Sequence, residues 1–326
     1  MTTNGESVLD ARGLTKRYSL GGGFSRVRIT AVNDATFEMG SDGPEIFALA
    51  GESGSGKTTI ARMILGFLEP SSGDIRVRGR DVTRLRGMRE RLSFMKDVQG
   101  IFQDPFDTFN PLKRIDSYLY ETARNFGIAS DRPGAERAVG EALESVGLSL
   151  EEVARRYPHE LSGGQAQRTS VARALITHPS LLVADEPVSM VDASLRMSIV
   201  NLLADFKKKH GISLLYITHD LATAYYVADR IAIMLRGSII EEGRVDLVLD
   251  HPLHPYSAVL RDSVPEPDPK RRWTSDIELG SLEVKEYNRA GCKFAGRCAH
   301  EMAVCRSSEP PAVEREGRIV KCHLYR

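Results

Sequence analysis

Residues 51–59 read Gly51-Glu52-Ser53-Gly54-Ser55-Gly56-Lys57-Thr58-Thr59. They satisfy G-x-x-x-x-G-K-[ST], a loop whose inward-turned N–H groups hold phosphate oxygens. Gly51, Gly54 and Gly56 let the backbone curl, with Ser53 and Ser55 between them, and the helix opening at Thr59 adds positive potential at its N-terminus. Lys57 is placed to reach β- and γ-phosphates, and Thr58 to offer its hydroxyl to Mg²⁺. Nucleotide binding is the chemistry these nine positions imply.

Other residues could act on what the loop holds. Asp185 and Glu186 follow the apolar run Leu181-Leu182-Val183-Ala184. At the tip of a central strand Asp185 can hold Mg²⁺, directly or through water, and Glu186 can serve as general base for a water attacking the γ-phosphate. Taken alone, the pair equally suits two solvated acids at a strand end. His219 follows Tyr216-Ile217-Thr218, where a neutral imidazole can contact the γ-phosphate and hold Glu186 and the water; a lone histidine there also suits a purely structural role. Gln103, after Ile101-Phe102 and before Asp104-Pro105, can offer its amide to Mg²⁺ and water, or be a solvated loop residue. Leu161-Ser162-Gly163-Gly164-Gln165 opens a second helix, whose free N–H groups and serine hydroxyl form another anion cradle or an ordinary cap. One γ-phosphate does not need two cradles, so the economical reading gives this one to a nucleotide bound by a partner chain.

These residues need a scaffold. Apolar residues 46–50 lead into the loop as a buried strand, and 59–65 lead out with helical spacing. Strand patterns cover 8–18, 31–39, 74–79, 181–184 and 213–218, with Gly21-Gly22-Gly23 as a flexible loop or hairpin tip and 40–44 as a turn. Helical steps occupy 118–125 and 135–146, and 193–209 reads as an amphipathic helix. Strands alternating with helices predict an α/β parallel sheet with its ligands at the strand carboxyl ends. Near residue 265 the composition shifts: Pro265, Pro267, Pro269 and the basic run Lys270-Arg271-Arg272 read as a linker. Beyond it lies a strand-poor tail that is too small to bury much core and would gain from a metal staple.

The tail carries every cysteine of the chain, Cys292, Cys298, Cys305 and Cys322. In a reducing compartment that clustering points to metal or cluster ligation rather than disulfides. Acidic and basic side chains balance, 44 each, so no net field favours nucleic acid. The chain has no apolar stretch of ~18 residues to span a bilayer, and Met1–Ser7 lacks the basic and apolar regions of a secretory signal. Both observations lead to the cytoplasm as the expected compartment. At 326 residues the length predicts about two domains.

With phosphate loop, glutamine, Ser-Gly-Gly motif, paired acids and histidine in this order, the sequence resembles an ATP-binding subunit of an ABC transporter over residues 8–250. The resemblance implies Tyr18 as the aromatic that stacks on adenine and Gly51–Thr59 as Walker A. It makes Gln103 the Q-loop residue, Leu161–Gln165 the signature, Leu181–Glu186 Walker B, Asp192 the D-loop aspartate and His219 the switch histidine. It implies a P-loop ATPase with a RecA-like parallel core, an antiparallel β subdomain and a helical signature subdomain over 1–264, followed by a small extension over 265–326. In such proteins two subunits sandwich two ATP·Mg²⁺, each between one Walker A and the opposing signature. The D-loop stretch Ser189-Met190-Val191-Asp192 departs from the usual Ser-Ala-Leu-Asp but keeps the aspartate.

The tail narrows the resemblance. Gly291–Cys298, Val320–Tyr325 and His251-Pro252-Leu253-His254-Pro255-Tyr256 are similar to the C-terminal extension of oligopeptide, dipeptide and nickel importer ATPases, some of which bind a [4Fe–4S] cluster. C-x5-C-x6-C-x16-C supplies four thiolates for one; a four-thiolate zinc site and four reduced thiols are the other readings. The expected partners are two transmembrane permease subunits, a second identical or paralogous ATPase subunit and an extracytoplasmic substrate-binding protein, with no nucleic acid. The expected place is the cytoplasmic face of the membrane, and the expected cargo is peptides, with oligosaccharides or nickel as alternatives. A soluble ABC ATPase of nucleic-acid repair or translation is the competing class; neither its long coiled-coil insertion nor a second cassette is visible in the sequence.

Overall fold

Apolar runs without alternation are what strands covered on both faces require, and the centre of the molecule is built from such runs. The computed structural model describes residues 7–20, 27–263 and 287–326. The expected Gly21–Gly23 loop and the proline-rich linker lie outside these residues. Parallel strands β3 (Ile46–Ala50), β6 (Val98–Ile101), β7 (Leu181–Asp185), β8 (Ser213–Thr218) and β9 (Arg230–Leu235) stand in the order β9-β3-β8-β7-β6. Side chains of β3 alternate between two cores: Ile46, Ala48 and Ala50 enter one, Phe47 and Leu49 the other.

The second of these cores is closed by an antiparallel sheet, β1 (Leu9–Leu20), β2 (Val27–Met39), β4 (Ser72–Val77) and β5 (Arg80–Asp81), in the order β2-β1-β4-β5. Helices α1 (Lys57–Ile64) and α2 (Gly87–Asp97) pack with it, through Ile60, Met63, Ile64 and Phe94. Against the other face lie α3 (Ile115–Asn125), α4 (Arg132–Glu144), α5 (Leu150–Val153), α6 (Gly163–Leu175) and α7 (Ala193–His210). Of these, α3, α4 and α5 pack on one another and α4 on α6, a helical group that carries the Ser-Gly-Gly turn at its edge. Short helices α8 (Leu221–Val227), α9 (Val245–Asp250) and α10 (Pro255–Asp262) follow β8 and the hairpin of β9 with β10 (Ser238–Arg244).

The tail differs from the expected strand-poor appendage. Beyond α11 (Ala303–Ser307), β11 (Ala312–Arg315) and β12 (Arg318–Lys321) extend the central sheet, Glu241 of β10 pairing Val320 of β12 and Val320 pairing Val313. The open edge of β10 supplies backbone hydrogen bonds, and Phe294 enters the main core, so the extension does not stand on a core of its own. Four-residue strands with charged ends give too weak a period to read from sequence.

One buried pair ties the two parts. Arg318 Nη1 lies 3.7 Å from Glu241 Oε1, with the side chains 2% and 0% exposed. Arg318 Nη1 also donates to the carbonyls of Leu247, at 2.5 Å, and of His251. Glu241 accepts from the backbone N–H groups of Leu253 and His254, both at 2.9 Å, while burial raises its pKa. Removing one partner leaves an uncompensated buried charge. Arg318→Met should therefore cost about 3 kcal/mol of stability, read as a lowered urea midpoint; an unchanged midpoint would show that the pair contributes nothing.

Candidate functional site

The parallel register brings the carboxyl ends of four strands to one edge. Ala50 pairs Thr218, Asp185 pairs Ile217, and Ile101 pairs Ala184. Each is followed within two residues by a group singled out in the sequence: Gly51, His219, Glu186 and Gln103. Crossover connections leave this edge open for ligands.

The phosphate loop needs its glycines for different reasons. Gly51 has φ 151° and Gly56 φ 107°; a Cβ at Gly51 would sit 2.1 Å from the Met234 carbonyl oxygen, and one at Gly56 2.3 Å from that of Ala31. Close backbone approach thus excludes any side chain at both. Lys57 is buried inside the loop, donating to the carbonyls of Gly51 (2.8 Å) and Glu52 (2.9 Å), with Ser55 Oγ at 3.4 Å. Burial lowers its pKa, against the pull of Glu186, Asp185 and Glu52. A cation so enclosed by carbonyl oxygens gains most from an anion entering the loop. Ser53 and Gly54 are exposed, and Thr59 lies half-buried in α1.

Thr58 Oγ1 donates to Asp185 Oδ1 at 3.3 Å. Burial raises the Asp185 pKa, offset by the Thr58 hydrogen bond and by Lys57. A hydroxyl and a buried carboxylate side by side form the hard-oxygen pair that Mg²⁺ prefers, so the residues present fit that ion.

Glu186 has φ 50°, a region that non-glycine residues enter at a cost of about 1–3 kcal/mol. Its backbone is held there from both sides: its N–H donates to Ile217 O at 2.9 Å, and Ser189 N and Oγ donate to its carbonyl at 3.2 and 3.0 Å. The consequence is that the carboxylate turns from the strand toward His219, whose Nδ1 lies 3.1 Å from Glu186 Oε1. A cavity of about 450 Å³ opens here, lined by Glu186, Ser189, Arg196, His219 and Asp220 among others. Nothing in the sequence signalled the strained backbone, because it depends on Ile217 and Ser189 holding the two peptides that flank Glu186.

Among the described residues, the others named from the sequence make no hydrogen bond to this cluster. Ser162 and Gly163 are exposed at the start of α6. Ser162 Oγ accepts from Gln165 N and Gln165 Oε1 from Ser162 N, both at 3.2 Å, a capping box closed within the motif. Gly164 faces Leu195, and Gln167 donates to Pro187 O at 2.8 Å, so α6 is tied to the segment after the acids and not to the phosphate loop. Asp192, also exposed, leads into α7, its carbonyl accepting from Leu195 and Arg196. Tyr18 lies 36% exposed on β1 with Lys16 Nζ 5.6 Å from its ring centroid. Gln103 is exposed at the same sheet edge as Asp185.

The four cysteines are free. Cys292 N donates to Cys305 O at 2.8 Å, and burial together with the neighbouring sulfurs pushes Cys322 up to about 11. The expected iron–sulfur site is not supported by their placement: among the described residues no group of three or more His, Cys, Asp or Glu is disposed to hold a metal ion. The reason for expecting a staple also weakens, since β12 and Phe294 already anchor the extension.

Sequence reading also missed the second contact layer of the phosphate loop. Tyr256 Oη accepts from Glu52 N at 3.2 Å, and Arg297 Nη1 lies 3.4 Å from Glu52 Oε1. His254, whose pKa burial lowers to about 3, caps α10 through Nδ1, accepting from Tyr256 N at 3.0 Å. The repeated His-Pro pattern was visible, but contacts spanning some 200 residues leave no local trace.

Comparison with known proteins follows the same division. Residues 32–189 match the family described as ABC transporter, and residues 240–305 the one described as oligopeptide/dipeptide transporter, C-terminal region. The chain is 37% identical to a probable peptide ABC transporter ATP-binding protein of Sinorhizobium fredii, over 98% of this chain and 90% of that one. It is likewise 37% identical to a putative oligopeptide transport ATP-binding protein of Bacillus subtilis, over 91% and 90%. The fold matches the ATP-binding cassette MJ0796, solved as a dimer with ADP and Pi, at a TM-score of 0.64 and 24% identity, covering 73% of this chain and 98% of that one. It matches cbiO1 of Clostridium perfringens, part of an ABC transporter complex, at 0.64 and 24%, covering 78% and 96%.

Proposed function

This chain belongs to the ABC transporter family as an ATP-binding, energy-coupling subunit, and from that premise we propose that it drives the import of peptides. Two findings support the cargo class: the C-terminal region match and the peptide transport named for its relatives. The observation that carries the mechanism is the single sheet edge where Lys57, Asp185, Glu186 and His219 meet, with Ser162 exposed elsewhere.

In this reading Lys57 and the loop amides bind the ATP phosphates, and Thr58 and Asp185 hold Mg²⁺, with Gln103 at the same edge. Mg²⁺, when bound, neutralises charge on the β- and γ-phosphates. Glu186 takes the proton of the attacking water, and His219 Nδ1–H orients its carboxylate. Tyr18 stacks on adenine. The Ser162–Gln165 turn and Asp192 of one subunit complete the site on the other, because Ser162 is exposed and its capping bonds stay within its own motif.

The partners are two transmembrane permeases, a second ATPase subunit and an extracytoplasmic binding protein. Residues 1–264 form the ATPase part and 265–326 the extension. No helix among the described residues is long and apolar enough to cross a membrane. In this reading the subunit works at the cytoplasmic face of the permeases, which its membership of the ABC transporter family supports. The test is ATP hydrolysis by the complex in proteoliposomes. Stimulation by the binding protein loaded with peptide is the expected result, whereas stimulation only by oligosaccharide or nickel would overturn the peptide assignment.

For the cysteines the finer proposal is that Cys292, Cys298, Cys305 and Cys322 take up a [4Fe–4S] cluster. Its support is donor chemistry and not the placement of the thiols: all four are free, and backbone amides hydrogen-bond the sulfurs of Cys292, Cys298 and Cys322. Anaerobically purified protein should contain iron and acid-labile sulfide in equal amounts. Stoichiometric zinc, or neither element, would refute it.

A further inference from the structure

The phosphate loop is gripped from behind by the C-terminal part of the chain. Glu52 N donates to Tyr256 Oη at 3.2 Å, Arg297 Nη1 reaches Glu52 Oε1 at 3.4 Å, and Tyr287 Oη donates to Gly54 O at 3.0 Å. One ring supports two of these groups: Phe294 meets Tyr256 edge-on at 5.5 Å, and the Arg297 guanidinium lies 5.2 Å from its centroid. Among the described residues, Arg297 Nε and Nη2 are buried without hydrogen-bond partners, and its guanidinium rests on Glu52 and Phe294.

The Tyr256 contact has a consequence inside the loop. In a trans peptide the N–H and C=O point opposite ways, and Glu52 N–H shares its peptide unit with Gly51 C=O. Tyr256 holds the N–H; the carbonyl, turned the other way, accepts from Lys57 Nζ at 2.8 Å. The phenol therefore sets the plane of the first loop peptide and, through it, the position of the lysine. Tyr256 is 1% exposed, so water does not readily replace it.

We propose that Tyr256 and Arg297 are positioning residues for the phosphate loop, so that the extension helps to set the affinity for MgATP. The inference rests on the nucleotide site described above. Both act on the loop through Glu52.

The test uses full-length protein and the assembled transporter. Tyr256→Phe removes the hydroxyl and leaves the ring against Phe294. It should raise the Kd and KM for MgATP about fivefold, with kcat kept within about twofold and the urea midpoint lowered only slightly, as the loss of one buried hydrogen bond requires. Arg297→Gln should raise Kd less, because Glu52 is half-exposed, and should have no further effect in a Glu52→Gln background. Wild-type affinity in Tyr256→Phe would overturn the inference, as would an affinity loss that appears only with a strongly lowered midpoint and an equal fall in kcat. Wild-type protein that fails to bind MgATP would overturn the nucleotide site itself, whereas intact wild-type binding with unaffected variants sinks this inference alone.

Discussion

Glu186→Gln should lower ATP hydrolysis by the assembled transporter about a thousandfold while MgATP binding stays within about twofold of wild type. The substitution removes the proton acceptor but keeps an oxygen for His219 Nδ1–H, now 3.1 Å from Glu186 Oε1. It also leaves untouched the strained backbone, which is fixed by Ile217 O and by Ser189 and not by the side chain. Lys57, Thr58 and Asp185 remain in place for the phosphates and magnesium, so the loss falls on kcat. Single-turnover hydrolysis with a parallel binding titration separates the two effects. Wild-type turnover in the variant would remove Glu186 from the role of general base.

The second large effect concerns Ser162, which in the proposed shared site serves the nucleotide of the other subunit. Ser162→Asp should reduce hydrolysis at least a hundredfold, yet ATP labelling of the variant subunit's own phosphate loop should persist. Aspartate is as good an N-cap as serine, so the bond from Gln165 N that Ser162 Oγ now accepts at 3.2 Å is retained and folding is spared. What changes is the sign of the charge offered to a phosphate brought up to the exposed start of α6: a carboxylate repels the anion that the helix terminus would attract. Should labelling of the variant's own loop vanish along with hydrolysis, the motif would be serving its own chain, and the shared site would be wrong.

Much of the site was legible because its groups are short-range. Gly51–Thr59, Asp185-Glu186 and Ser162–Gln165 each do their work within one turn of chain, where spacing implies geometry. The strand assignments were legible for a related reason: a parallel strand buried on both faces must be apolar throughout, as 46–50 and 181–184 are. Expectation failed where the partner was remote. The tail appeared to need a metal because its own core is small, but β12 borrows the edge of β10, and Phe294 borrows the main core. Likewise Tyr256 and Arg297 carried no sign of any tie to Glu52, which lies 204 and 245 residues earlier.

By itself, then, the sequence marked this protein as an ATP-binding subunit of its family, singled out the residues proposed to face phosphates and magnesium, and offered a second helix start suited to an anion or to an ordinary cap. Local backbone chemistry dictates each of these, and it survives in any fold that keeps the motif on a strand–loop–helix unit. Only the tertiary structure decided that Lys57, Asp185, Glu186 and His219 share one edge while Ser162 lies exposed at the start of α6. It alone turned Glu186 toward His219 through a left-handed backbone, and it alone placed the extension behind the phosphate loop. Those outcomes follow from sheet register and from hydrogen bonds between distant peptides, interactions that have no period along the chain and exist only once the strands are paired.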